Sequence, residues 1–381
     1  VKDLKPGFTR FHAADPDRLH FAAHSHHPWP DVTHAAHERA WLDAAELADD
    51  KWERYFGEVV PATQRLIGDV IGLDDPKSIT FGPNTHGFVN RIFSCFEPPV
   101  RVLTTDAEFH SFHRQSRRWE EAGVAIVDRI PAEPFDTFEA RFTREAAAGA
   151  HDLIYLSQVH FDSGLIVEGI DRVVSAVPNN QTFIVVDGYH AFMAMPVNVG
   201  AIQDRVFYLA GGYKYAMAGE GACFLHAPAG YGPRPLDTGW YAGFGQLESG
   251  VTDLVPYAED GSRFAGATYD VSGVYRLRAV LEWLRAEGVT PGDIHDHAGA
   301  LQDRLLHLGT PYGDPVVPAG RRGNFLTFQT ADAAEIYRAL HERKVITDYR
   351  GDRLRIGFGV YQDDTDVDRL ADTIAAIPVA E

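Results

Sequence analysis

The sequence predicts an α/β protein: a large domain with a mainly parallel sheet sandwiched by helices, followed by a smaller α+β C-terminal domain. Three observations carry that prediction. Between residues 79 and 187 short apolar runs alternate with stretches of helical period, the pattern of successive right-handed βαβ crossovers. The runs F-I-V-V-D and V-F-Y-L-A-G-G are apolar almost throughout, as in strands covered on both faces. Beyond His226 a Gly- and Pro-rich stretch precedes a C-terminal part with its own strand and helix pattern. At 381 residues and 45% hydrophobic, the chain exceeds the usual length of one domain.

In chain order, R-L-H-F-A-A-H-S-H-H-P-W-P-D reads as a short strand entering a His- and Pro-rich turn, after which Asp31 precedes a helical pattern through Ala36, Ala40 and Leu47. His24, His26 and His27 lie in this irregular turn without a second ligand cluster at zinc-site spacing, so the turn reads as a pocket mouth or domain interface rather than a metal site. A helix at T-Q-R-L-I-G-D-V-I-G then leads to a strand at Ile79–Phe81. That strand meets Gly82-Pro83-Asn84-Thr85, and Phe88, Ile92 and Phe96 follow at helical spacing. Such a junction is either an ordinary N-cap or a phosphate site at a helix N-terminus. Strands at R-V-L-T-T-D, V-A-I-V-D-R-I, L-I-Y-L-S-Q-V-H-F and F-I-V-V-D continue the series. In the last part G-N-F-L-T-F-Q-T and R-L-R-I-G-F read as strands, with helices between and after them. The expected division is an N-terminal segment (1–57) packing on the small domain or a dimer interface, a large domain (58–271), and a linking helix with the small domain (272–381).

Charge narrows the function classes. With 54 acidic against 35 basic residues the net charge is −19, which repels nucleic acid and anionic lipid, and no Lys/Arg block offsets it. Two cysteines, Cys95 and Cys223, sit inside apolar runs and read as buried thiols, pointing to a reducing, cytoplasmic setting. Neither a signal peptide nor a membrane-length apolar run is visible, so a soluble protein acting on a small molecule is expected.

The chemistry concentrates between Phe183 and His226, where one apolar run ends in Asp187 and the next leads to Lys214. Open α/β sheets bind ligands at strand carboxyl ends. A lysine there either snorkels to the surface or is held in a pocket that lowers its pKa. An acid on the neighbouring run favours the second reading, because a pyridoxal phosphate site needs a Schiff-base lysine and an acid beside the pyridinium nitrogen.

On V-D-G-Y-H-A, matching D-x-x-H-A, and on Y-K-Y-A-M-A-G-E-G-A-C-F-L-H, the chain resembles the class-V, fold-type I pyridoxal-phosphate enzymes, and among them the kynureninases. A-E-F-H-S, D-T-G-W-Y and R-L-R-I-G-F-G-V-Y extend the resemblance. It implies pyridoxal 5'-phosphate as cofactor, Lys214 forming the internal aldimine and moving protons at Cα, Asp187 on the ring nitrogen with His190 behind it, and Phe109 stacked on the ring. It places Asn84, Thr85, Tyr213 and Trp240 at the phosphate, Ser163 at a cofactor-side turn and Thr268 at the cofactor's edge. Arg355 would bind the substrate α-carboxylate with its fork of donors. The implied reaction is hydrolytic cleavage of a Cβ–Cγ bond through external aldimine and quinonoid. The alternatives are a class-V aminotransferase, a β-lyase acting on another amino acid, or a catalytically silent binding protein. The resemblance also implies a homodimer in which Trp240 or Thr268 reaches the partner's cofactor. The chain departs from the kynureninase pattern at His24-Ser25-His26-His27, at Phe112 and at Thr268, where the resemblance puts the substrate pocket or cofactor edge. A cysteine desulfurase is disfavoured, since neither Cys95 nor Cys223 lies in a segment that reads as an exposed loop.

Overall fold

A computed structural model of the chain describes residues 2–246 and 253–377, so the outer limits of the expected domains, residue 1 and residues 378–381, lie outside it. Strand β1 (Leu19–His20) comes first, and β2 (Ile79–Gly82), β3 (Val100–Thr105), β4 (Ala125–Ile130), β5 (Leu153–Ser157), β6 (Phe183–Asp187), β7 (Val206–Gly211) and β8 (Cys223–His226) build the main sheet. Its order is β2-β8-β7-β6-β5-β3-β4. The β7-β6-β5-β3-β4 part is parallel, while β8 runs antiparallel to β7 and β2 antiparallel to β8. The expected mainly parallel sheet is therefore present, with an antiparallel edge.

Side-chain parity along the central strands defines the two faces. Ile154, Leu156, Ile184, Val186 and Tyr208 point into one core, which the helices Val60–Ile71, Phe135–Ala147 and Ser272–Glu287 cover. Leu153, Tyr155, Val185, Phe207 and Leu209 point into the other, under the helices Thr85–Phe93 and His110–Glu121. Asp187 shares the parity of Tyr155 and Val185, so it emerges at the carboxyl end of β6 on the face carrying those last two helices.

The C-terminal part forms an antiparallel sheet of order β11-β12-β9, from β9 (Phe325–Gln329), β11 (Asp348–Arg350) and β12 (Arg353–Gly357). Strand β10 (Val345–Ile346) pairs in parallel with β1, and Ala22 bridges to Gly357, so the N-terminal segment lies against this sheet. The linking helix spans Ser272–Glu287 as the periodicity indicates. A second long helix follows, Pro291–Leu308, opened by a capping box at Thr290 and Asp293. Asp31 does not cap the helix Val32–Leu47. Its carboxylate instead accepts from the Thr9 and Arg10 N–H groups and ties the N-terminal turn to the His-rich loop. Among the described residues no helix is long and apolar enough to cross a membrane.

Candidate active site

Strand ends of the main sheet and two small-domain strands meet at one cavity of about 420 Å³. Lys214 enters it from the turn after β7, where the Gly212 N–H donates to Ala222 O and the Met217 N–H to Lys214 O. The amine is buried among the Phe109 ring, 5.3 Å from its centre, the Tyr189 ring and the imidazole of His190, which it contacts through Nε2. Burial pushes the lysine down to about 7, against the attraction of Asp187.

Asp187 is placed just as tightly. The Tyr155 hydroxyl donates to its Oδ2 at 2.6 Å and the Tyr189 N–H to its Oδ1 at 2.9 Å. Burial raises its carboxyl, and the Tyr155 and Tyr189 hydrogen bonds and Lys214 oppose the rise. Phe112 of the helix His110–Glu121 stacks on Tyr155, with ring centroids 3.6 Å apart. The position where the kynureninase pattern has an acid is thus a core residue beneath the Asp187 support, and it does not line the cavity. Between Asp187 and the next turn, Gly188 crosses so close to Tyr208 that an added Cβ would lie 1.9 Å from its hydroxyl. Only a residue without Cβ lets the chain turn there.

At the other end of the cavity Asn84 caps the helix Thr85–Phe93, its side chain accepting from the Gly87 N–H at 2.9 Å. Asn84, Thr85 and Tyr213 line the wall here, and the capped helix N-terminus supplies the setting an anionic phosphate needs. Phe109, immediately before the helix His110–Glu121, is left with an exposed ring face.

Arg355 reaches the cavity from β12, but its fork is already engaged. One terminal nitrogen donates to Asp348 and the other to Phe161 O, leaving Nε buried without a partner. His24 lies beside it, stacked 4.4 Å from Phe325 and fully buried, with neither ring nitrogen hydrogen-bonded. Arg350 completes this end, paired to Asp348 at 2.6 Å.

Of the residues picked from sequence, Lys214, Asp187, His190 and Phe109 converge here with Asn84, Thr85, Tyr213 and Arg355. Three do not. Ser163 is buried in a turn where its hydroxyl accepts from the Leu165 N–H. Trp240 donates to Thr268 at 2.8 Å, and neither lines this cavity. Sequence reading passed over Tyr155, Tyr189, Arg350 and Asp348. Only Tyr155 left a signal, its matching parity with Asp187 on the adjacent strand. Glu108 was also passed over: it is buried against Ser157 and Thr105, and burial pushes it up to about 8.

A buried lysine near neutrality, a braced carboxylate, an open aromatic face, a capped helix N-terminus and the unpartnered Nδ1 of His190 fit pyridoxal phosphate. Fold and site together define a pyridoxal-phosphate-dependent enzyme of fold type I. Residues 48–370 match the family model described as aminotransferase class-V, and the chain belongs to that family. It is 29% identical to isopenicillin N epimerase of Streptomyces clavuligerus over 348 residues, 82% of either chain. It is 22% identical to a probable cysteine desulfurase of Vibrio cholerae over 331 residues, 82% of this chain and 80% of that one. Its fold superposes with a TM-score of 0.83 and 16% identity on a C-DES variant with glycine covalently linked to its pyridoxal phosphate, covering 99% of this chain and 100% of the other. Another structure of C-DES, described as a cystine C–S lyase with its product cysteine persulfide, gives 0.80 at 15% identity, covering 94% and 97%.

Proposed function

We propose that the protein is a lyase that eliminates a β-substituent from an α-amino acid. The observation that carries this reading is that burial activates Lys214 in the cavity while it deactivates the thiol and the two buried histidines beside it. Cys223, in its wall, is hydrogen-bonded to Tyr189 and pushed up to about 12 by burial. His24 and His190 are held neutral, well below their usual range, by burial. A thiol-dependent desulfurase needs an activated sulfur, and hydrolysis of a γ-carbonyl needs a base to activate water. β-Elimination needs only a base at Cα. The likeness to the C–S lyase fold supports the same choice over the kynureninase-type hydrolase that the motifs favour.

Asn84, Thr85 and Tyr213 would hold the phosphate, Phe109 the ring face, and Asp187 the ring nitrogen, with His190 packed beside Lys214. When bound, the cofactor supplies a sink for the electron pair left at Cα. Lys214, whose burial leaves part of it as free amine at neutral pH, takes the Cα proton. Arg355 Nε and the remaining hydrogens of its fork hold the α-carboxylate, which fixes the Cα–H bond toward Lys214. The carbanion pair forms the Cα–Cβ double bond as the Cβ–X bond breaks, and X leaves with its bonding pair. From a three-carbon substrate the released enamine hydrolyses to pyruvate and ammonium.

The test is product analysis of the loaded protein with cystine, β-chloroalanine and kynurenine. Pyruvate and ammonium are expected from one of the first two, and none from Lys214→Ala, which should also lack the visible absorption band that borohydride bleaches. Alanine and anthranilate from kynurenine would replace the lyase by the hydrolase. A keto acid retaining its β-substituent would indicate amino transfer. A second reading, epimerisation at Cα, rests on the sequence relative, and solvent deuterium entering Cα without loss of X would favour it.

A further inference from the structure

The helix His110–Glu121 turns Phe112, Ser116 and Trp119 inward and leaves His110, His113, Arg114, Arg117 and Arg118 on its outer side. With His86 from the helix Thr85–Phe93, these side chains line a second cavity of about 590 Å³, in which Glu121 is the only carboxylate. Arg114, Arg117 and Arg118 make no ion pair and no side-chain hydrogen bond among the described residues. Other arginines of this acid-rich chain are matched to carboxylates, such as Arg129 to Glu120, Arg304 to Asp368 and Arg321 to Glu139, whereas these three lie together on one cavity wall. Like charges three and four positions apart destabilise a helix, and here Arg114, Arg117 and Arg118 share Glu121 as the one carboxylate lining their cavity. A chain with a net charge of −19 that keeps three arginines clear of its own carboxylates presents a local site for an anion.

The position of this cluster says which anion. His86 and Ser111 line both the basic cavity and the one holding Lys214, so the two cavities adjoin at these side chains. The concave shape and the position beside the catalytic cavity favour a small molecule over a docked protein surface.

We propose that the basic cavity binds an anionic group at the far end of the substrate's side chain, making the substrate an α-amino acid with a second, distal anion. This rests on the reading of Lys214 as the catalytic base. The α-carboxylate goes to Arg355, and Arg114 and Arg117 take the distal group, with His86 where the two cavities adjoin.

The experiment titrates the cofactor-loaded protein with L-glutamate, L-2-aminoadipate and L-2-aminopimelate, each against its uncharged ω-amide, and reads the change in visible absorption. At one chain length or more the acid should bind about ten-fold tighter than its amide, a preference that shrinks with added salt. Arg114→Gln with Arg117→Gln should abolish the preference while leaving affinity for the amides unchanged. Equal affinity of acid and amide at every length would overturn the proposal and leave the lyase reading standing. So would a double variant that weakens acids and amides alike, or one that turns an oligomer into a monomer, which would mark the face as an interface between subunits. If no amino acid perturbs the absorption, the reading of Lys214 falls and this proposal with it.

Discussion

Glu108 shows how the site distributes charge at the scale of single residues. It packs close to Asp187, and both carboxyls are raised by burial. Two neighbouring buried carboxyls cannot both be charged at little cost. Asp187 has the Lys214 amine beside its two donors to stabilise its anion, whereas Glu108 accepts only from the neutral groups of Ser157 and Thr105. The folded state therefore keeps the proton on Glu108 between about 4.5 and about 8, where the unfolded chain releases it. A folded state that holds more protons than the unfolded one loses stability as pH rises, so this contribution is complete below the window and gone above it. Glu108→Gln keeps the shape without the titration. Melting temperatures across pH 5 to 9 should show the wild type falling progressively below the variant up to about pH 8 and a constant gap beyond. Parallel curves would mean that Glu108 is ionised throughout.

At the scale of elements, the turn carrying Lys214 is held by what packs onto it rather than by its own hydrogen bonds alone. The linking helix Ser272–Glu287 sets its first turn against residues 218–221: Arg276 donates to Ala218 O at 2.8 Å and to Glu220 O at 2.6 Å. Gly273 allows that approach, since an added Cβ would lie 2.5 Å from the Gly221 carbonyl carbon, a backbone atom that cannot turn aside. Gly273→Ala should cost roughly 1–3 kcal/mol through this overlap. Because the strain falls on the Lys214 turn, cofactor affinity should drop with it. Denaturant titration of the apo-protein and a cofactor titration check the two effects. Loss of stability with unchanged affinity would show the turn to be independent of the helix. The antiparallel edge formed by β2 and β8 serves the same site from the other side, since β2 delivers Asn84 to the cavity and β8 carries Cys223 in its wall.

The whole molecule poses a question of assembly. Trp240 and Thr268, both implied at a cofactor by the resemblance, are bonded to each other outside the cavity of their own chain. We propose a homodimer in which this pair reaches the partner's site. A Lys214→Ala subunit and a Thr268→Ala subunit, each impaired alone, should then form mixed dimers in which one site is intact, restoring about half the wild-type activity per mixed dimer. No recovery in purified mixed dimers, or a chain that sediments as a monomer, would confine the site to one subunit.

Much of this was legible in the chain itself. The βαβ alternation, the runs ending at Asp187 and Lys214, the junction at Asn84 and the linking helix all follow from local patterns, because hydrophobic period and turn chemistry are written in neighbouring residues. The strands β2 and β8 at one end of the sheet are short, and whether they run parallel or antiparallel to it is a matter of long-range pairing that no local period encodes. Phe112 shows the same limit, since its exchange for the family's acid looked like a change in the pocket and is a change in the core under Tyr155. Sequence alone determined which strand ends in the acid and which leads into the turn that carries the base. Tertiary structure decided that Asp348 occupies the fork of Arg355, that His24 stands beside it without a hydrogen bond to its ring, and that the arginines of the helix His110–Glu121 line a cavity adjoining that of Lys214. Those juxtapositions join residues far apart in the chain, and burial and charge act through space rather than along the sequence.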